Sequence, residues 1–202
     1  MKQLNTPYFY ILFTYSNKES FTNLQQIFRQ LQHTKSLTDK INFPEDDEDE
    51  SKDREIIIPT VDWNNYLTPY AKQWFTNTFD FQSEEGKVYL RLRDLTSVAI
   101  RSYNTFFIPP GNWSLDSVIE SILACEYTLV ALEQLETNKA VLYYDPWVAP
   151  FGGVESLWQL IWAFDCQIVY DFYLGGVPSA EESTWNYDLA KQLVEQNRGL
   201  SN

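Results

Sequence analysis

Apolar positions along the chain change period several times, and each change marks an element boundary. Tyr8 to Tyr15 is aromatic and β-branched with almost no charge, the composition of a strand buried on both faces. Phe21, Leu24, Ile27, Phe28 and Leu31 then recur at three- and four-residue steps. That spacing predicts a helix with one apolar face, while Asn23, Gln26, Arg29 and Gln30 meet water. Thr68-Pro69 predicts the start of a short helix through Phe79, since proline suits a first turn, and Tyr70, Trp74 and Phe75 are expected to pack inward.

The middle of the chain reads as antiparallel strands. From Lys87 to Arg93, Val88, Leu90 and Leu92 alternate with Lys87, Tyr89, Arg91 and Arg93, the period of a half-wet strand. Val98 to Ile108 continues it up to the turn signal Pro109-Pro110-Gly111. A long helix is expected from Ser114 to Glu136, capped by Ser114 or Asn112 and buried along Leu115, Val118, Ile119, Ile122, Leu129, Leu132 and Leu135.

Ala140 to Tyr144 then predicts a strand, Gly153 to Asp165 a helix apolar around most of its circumference, and Gln167 to Tyr170 another strand. The order suggests a βαβ unit with parallel pairing and a right-handed crossover. Ser179 with Glu182 forms a capping-box pattern for a last helix ending near Arg198-Gly199. The fold expected is α/β (or α+β). It has a mixed β-sheet with an antiparallel portion and a C-terminal βαβ unit, its N- and C-terminal strands central and helices packed on the sheet.

Composition adds that this pattern closes into a core, because 44% of the 202 residues are hydrophobic and 16% aromatic, well above the level of disordered chains. The length fits one domain or at most two small ones, and residues 1–202 are taken as a single domain. With 15 Lys and Arg against 28 Asp and Glu the net charge is −13, which disfavours a protein that binds nucleic acid by neutralising phosphates. Eight of those acids lie between Glu45 and Glu55, so residues 44–55 are expected to form a flexible acidic loop. The loop lacks the ligand spacing and turn glycine of an EF-hand. Pro7 to Tyr15 imitates a signal-peptide core, but only Lys2 precedes it and no small-x-small cleavage pattern follows. No stretch reaches the length of a membrane span, so a cytoplasmic protein with no membrane contact is expected. Cys125 and Cys166 lie outside any CxxC pair and read as reduced core thiols.

Candidate chemistry is sparse. His33 is the only histidine; it leaves little for a nucleophilic triad or a zinc site and reads as a residue exposed near the end of the first helix. Asp62, Asp80, Asp94, Asp145, Glu155, Asp165 and Asp171 could pair as acid and base. The most unusual run is Tyr143 to Gly153, a proline- and glycine-rich connection from a buried strand to a buried helix, placed where open α/β sheets bind ligands. Tyr144, Asp145, Trp147, Phe151, Gly152, Gly153 and Glu155 are its candidate binding residues. It has no Walker A or GxGxxG pattern, and structural shaping of a tight connection accounts for it better than a ligand site does. No cofactor and no metal are expected. The function that fits best is an acidic protein-interaction module, in the manner of an inhibitor or immunity-type protein covering a basic partner. Its alternatives are a small-molecule-binding domain or carboxylate-based enzyme using loop 145–155, and a structural subunit of a homo-oligomer.

Overall fold

In a computed structural model, residues 8–42, 58–102, 104–147, 153–179 and 182–199 are described. They divide into two compact units: Met1–Phe75 with Leu115–Pro178, and Thr76–Ser114 with Ser179–Asn202. Four strands and seven helices are found among the described residues, a mixed α and β fold. The acidic segment 44–55 lies outside them, as do Ile56 and Ile57; Ile58 is exposed and in no strand.

The first unit is built on strands β1 (Phe9–Tyr15), β2 (Tyr127–Glu136), β3 (Lys139–Pro146) and β4 (Cys166–Asp171), in the spatial order β2-β3-β1-β4. All neighbouring pairs are antiparallel. The expected strand–helix–strand unit is present as β3, α6 (Val154–Ala163) and β4. Its two strands run in the same direction, but β1 lies between them, so they do not pair with each other, and β4 is an edge strand. Helix α1 (Lys18–Asn42) connects β1 to the β2–β3 hairpin with α5 (Leu115–Ala124) and α2 (Pro69–Thr76) inserted on the way. Setting the insertion aside, the order β1-α1-β2-β3-α6-β4 is the split βαβ connectivity of ferredoxin-like sheets.

Strand alternation sorts the sheet into two faces. Ile11, Phe13 and Tyr15 of β1, Ala140, Leu142 and Tyr144 of β3, and Tyr127 and Leu129 of β2 pack against Phe21, Leu24, Ile27, Phe28 and Leu31 of α1, Val118 and Ile122 of α5, and Leu157, Leu160 and Ile161 of α6. Each of these large side chains contributes about 1.5 to 3 kcal/mol by leaving water. Trp158 and Trp162 are only partly buried against this core. In α2, Phe75 is buried and Trp74 half-buried, but Tyr70 is exposed, because the short helix ends at Thr76 and offers one narrow stripe.

Several sequence expectations give way to local chemistry. Residues 87–93 belong to a helix, α3 (Glu84–Leu95), not a strand. The Ser83 side chain accepts from Gly86 N, and Glu84 and Glu85 occupy the first turn, where acids suit the helix dipole. Its buried positions are Gly86, Tyr89 and Leu92, a three-residue step hidden inside the apparent alternation. Likewise 98–108 holds only α4 (Val98–Arg101) and a 3-10 turn at Thr105–Phe107. The long helix expected from Ser114 to Glu136 stops at Ala124 and becomes β2, since Tyr127, Thr128 and Val130 are strand formers. The last helix, α7 (Tyr187–Gly199), begins well after Ser179 and Glu182; Asn186 Oδ1 accepts from Leu189 N instead. His33 sits inside α1, which runs nine residues beyond it.

The second unit is small and aromatic. Leu92 of α3 packs with Ala190 and Val194 of α7 and is closed by Val88, Phe106, Phe107, Trp185 and Leu193. Tyr89 and Trp185 rings lie 5.1 Å apart, edge to face. Their polar ends are satisfied, as Trp185 Nε1 donates to Glu85 at 2.7 Å and Tyr89 OH to the Phe107 carbonyl at 2.7 Å. Gly86 is required here because a Cβ would overlap the Asp80 and Phe81 backbone.

Candidate functional site

The sequence-predicted loop falls on both sides of the sheet. Tyr144 points to the helices and is fully buried, with its ring 5.7 Å from that of Tyr127. Asp145 is exposed and pairs with Thr128 on the opposite face. Trp147 is 38% exposed, yet its Nε1 donates to Thr128 Oγ1 at 2.8 Å and its backbone N to the Glu126 carbonyl at 3.0 Å. Gly153 precedes α6 at φ +88°, where an added Cβ would overlap Cys125 Sγ. Glu155 is exposed in the first turn of α6. Asp145 and Glu155 therefore belong to different layers, one to the open face of the sheet and one to the helical layer. Phe151 and Gly152 lie outside the described residues.

What the inner part of this region assembles is a lock around Lys35, which periodicity did not single out. Lys35 is 1% exposed, and its Nζ donates to Asp39 Oδ1 at 3.0 Å, the Leu123 carbonyl at 3.3 Å and the Cys125 carbonyl at 2.6 Å. An ammonium has three donors, so all are used. The two carbonyls belong to the end of α5, where a cation is favoured by the helix dipole. Nζ also lies 5.4 Å from the Tyr127 ring and 5.3 Å from that of Trp147, within cation–π range. Tyr127 OH reaches Ser156 Oγ at 3.5 Å. Burial pushes the Tyr127 and Tyr144 phenols, and the Cys125 thiol, above their ordinary pKa values. The cluster thus holds α1, α5 and the β2–β3 ends together with protonated phenols and a fully bonded ammonium, and burial raises the Asp39 carboxyl beside it above its ordinary pKa.

The other carboxylates mostly bond the backbone. Asp62 Oδ1 accepts from Asn64 N, Asp80 Oδ1 from Gln82 N, and Asp165 ends α6 at φ 57°, as Asp can where a helix terminates. Asp171 is fully buried; it accepts from Trp158 Nε1 and Leu174 N, both at 2.8 Å. Among the described residues no group of three His, Cys, Asp or Glu side chains could hold a metal, and no helix is long and apolar enough to cross a membrane.

The open sheet face is the larger surface feature. Register places Tyr143 opposite Tyr10, and Glu133, Val141, Leu12 and Tyr170 in the next row. The Tyr10 ring lies 6.4 Å from Tyr143, 5.9 Å from Tyr170 and 5.4 Å from Phe172. The Asp171 turn positions Phe172, whose N donates to the Tyr10 carbonyl at 3.0 Å. Phe172, Tyr173 and Leu174 are 41 to 50% exposed, and Val169 and Val177 are exposed beside them. The four strands carry Glu133, Glu136, Asp145 and Asp171 against one base, Lys139. In sequence, Phe172-Tyr173-Leu174 followed by Gly175-Gly176 was the available signal: a large apolar triplet beyond the last strand with nothing after it to bury it.

No protein-family model, curated protein or solved structure matches this chain.

Proposed function

We propose that this chain is an acidic protein-interaction module that engages a basic partner through the open face of its sheet, in the manner of an inhibitor covering a basic surface. The row of rings from Tyr143 through Tyr10 to Phe172 carries this reading. Aromatic side chains held in place by a sheet lose little conformational freedom on binding, and tyrosine is enriched among residues that dominate interface energies. A contiguous apolar patch of this kind on a soluble surface marks an interaction site more often than a chance exposure. Glu133 and Asp145 on the same face, with Lys139 the only base in the strands, favour cationic partners, since ring faces attract guanidinium and ammonium groups. The acidic whole steers such partners from a distance.

The anchors on this reading are Tyr10, Phe172 and Tyr173, not Trp147, whose indole N–H is already given to Thr128. The test is capture from native lysate by the wild type, by a Phe172→Ser/Tyr173→Ser variant and by a Glu133→Lys/Asp145→Lys variant. A basic protein retained by the first and lost from both variants supports the reading. A partner retained equally by all three contradicts it.

A further inference from the structure

The open face of the sheet is not uniform, and its acidic part is built around Tyr143. Register sets Ala131 of β2 directly opposite Tyr143 of β3, and Glu133 opposite Val141 in the next row. Glu133 is thus the diagonal neighbour of Tyr143 on the same face, a separation that a long side chain spans. Asp145 lies two residues along β3, again on that face, as strand alternation requires. Tyr143 therefore stands between two carboxylates. Both are exposed, and neither is in an ion pair among the described residues, since the one base in the strands, Lys139, lies 3.8 Å from Glu136.

The rings change inclination at the same place. Tyr10 is tilted by 34° to Tyr170 and by 38° to Phe172, whereas Tyr143 stands at 61° to Tyr10 with the centroids 6.4 Å apart. On its β2 side Tyr143 meets in register only the methyl group of Ala131, so no large side chain opposite it fills that side. A planar guanidinium suits this arrangement, because it stacks on a ring while its N–H groups radiate in its own plane toward carboxylates on either side. An ammonium is compact and strongly hydrated, and an open face gives it little reason to shed that water. A second copy of the chain would bring another net charge of −13 to a face that already carries two exposed acids, and is repelled.

Resting on the reading of the open face as the surface for a basic protein, we propose that Tyr143, flanked by Glu133 and Asp145, receives an arginine side chain of that partner and selects it over lysine. The two carboxylates take the guanidinium N–H groups and the Tyr143 ring takes its face. Phe172 and Tyr173, farther toward β4, add apolar contact and do not discriminate between the two cations.

The probes are a fluorescein-labelled peptide of arginines spaced by glycine and serine and its counterpart with lysine in place of every arginine, titrated by anisotropy into the full chain at physiological salt. Saturable binding of the arginine peptide is expected, about tenfold tighter than that of the lysine peptide. Tyr143→Leu and Glu133→Gln/Asp145→Asn should each bring the arginine peptide down to the level of the lysine one, while Tyr143→Phe keeps the preference. Should Tyr143→Leu lower the melting temperature, the carboxylate variant carries the test, because both of its side chains are exposed. Equal affinity for the two peptides, a preference unchanged in the carboxylate variant, or binding of neither peptide overturns the proposal. In each of these cases, capture of a basic protein that depends on Phe172 and Tyr173 leaves the open-face reading standing, and its absence removes that reading as well. A wild type that sediments as a dimer and dissociates in Phe172→Ser/Tyr173→Ser would place a second copy on this face and reject the arginine of a partner.

Discussion

Tyr10 on β1 and Phe172 beyond β4 are joined twice, by the Phe172 N–H donated to the Tyr10 carbonyl at 3.0 Å and by rings 5.4 Å apart. The edge of the sheet is thereby extended by a turn that holds an aromatic side chain against the open face. That turn is fixed from below by Asp171, which accepts from Leu174 N. Its rigidity separates an aromatic anchor from a merely exposed ring.

Removing the anchor should leave the fold intact. Phe172→Ser with Tyr173→Ser takes away side chains that are nearly half exposed, so thermal stability is expected to change by less than about 1 kcal/mol, while partner capture is lost. Asp171→Ala strips the acceptor from Trp158 Nε1 and Leu174 N in a buried place and should cost about 2 to 4 kcal/mol. Chemical denaturation of both variants measures the contrast.

Lys35→Met keeps most of the side-chain volume and removes the charge. It leaves Asp39 beside a buried methyl group and the Leu123 and Cys125 carbonyls without their donor. Loss of one partner from a buried pair costs about 3 to 5 kcal/mol. The urea midpoint should fall accordingly.

In α6 the energetic weight lies on the aliphatic side chains. Leu157 is completely buried while Trp162 is not. Leu157→Ala is expected to cost about 2 to 5 kcal/mol, more than Trp162→Ala, despite the larger volume of tryptophan. Parallel melts of the two variants decide the order.

Much of this fold was legible, and the failures divide into local and non-local ones. The strand at Tyr8–Tyr15, the α1 stripe, the strand at Ala140–Tyr144 and the α6–β4 pair all follow from strong periodicity. The α3 residues Val88, Leu90 and Leu92 alternate as a strand would, but Ser83 and two glutamates at the helix start outweigh that alternation. The break at Ala124 was hidden because Leu129 and Leu132 continue the helical spacing across it. Pairing of β3 with β4 was excluded only by the insertion of β1 between them, a non-local fact that no window contains. The same holds for the candidate surface. Tyr10, Tyr143 and Phe172 are far apart in sequence and meet only through register, whereas the Tyr144–Gly153 run stood out because its unusual residues are contiguous.

Alkaline pH should destabilise the protein. Burial pushes the Cys166 thiol up to about 12, with neighbouring Asp165 adding to it. The folded state therefore keeps this proton where the unfolded chain releases it. Stability is intact below the ordinary thiol value of about 9 and is lost as pH rises from there toward 12, by up to about 1.4 kcal/mol per pH unit. Tyr127 and Tyr144, raised by burial, act in the same direction above pH 10. Melting curves across this range should show a shallower decline in Cys166→Ala than in the wild type.

Placement of a photoreactive group tests the central claim most directly. With p-benzoyl-phenylalanine at position 172, and separately at the exposed Glu120 of α5 on the helical side, illumination in native lysate should yield a covalent adduct with a basic protein at position 172. None should form with that protein at position 120. Adducts with that protein from position 120 alone, with none from 172, would contradict the claim that the open sheet face is the binding surface.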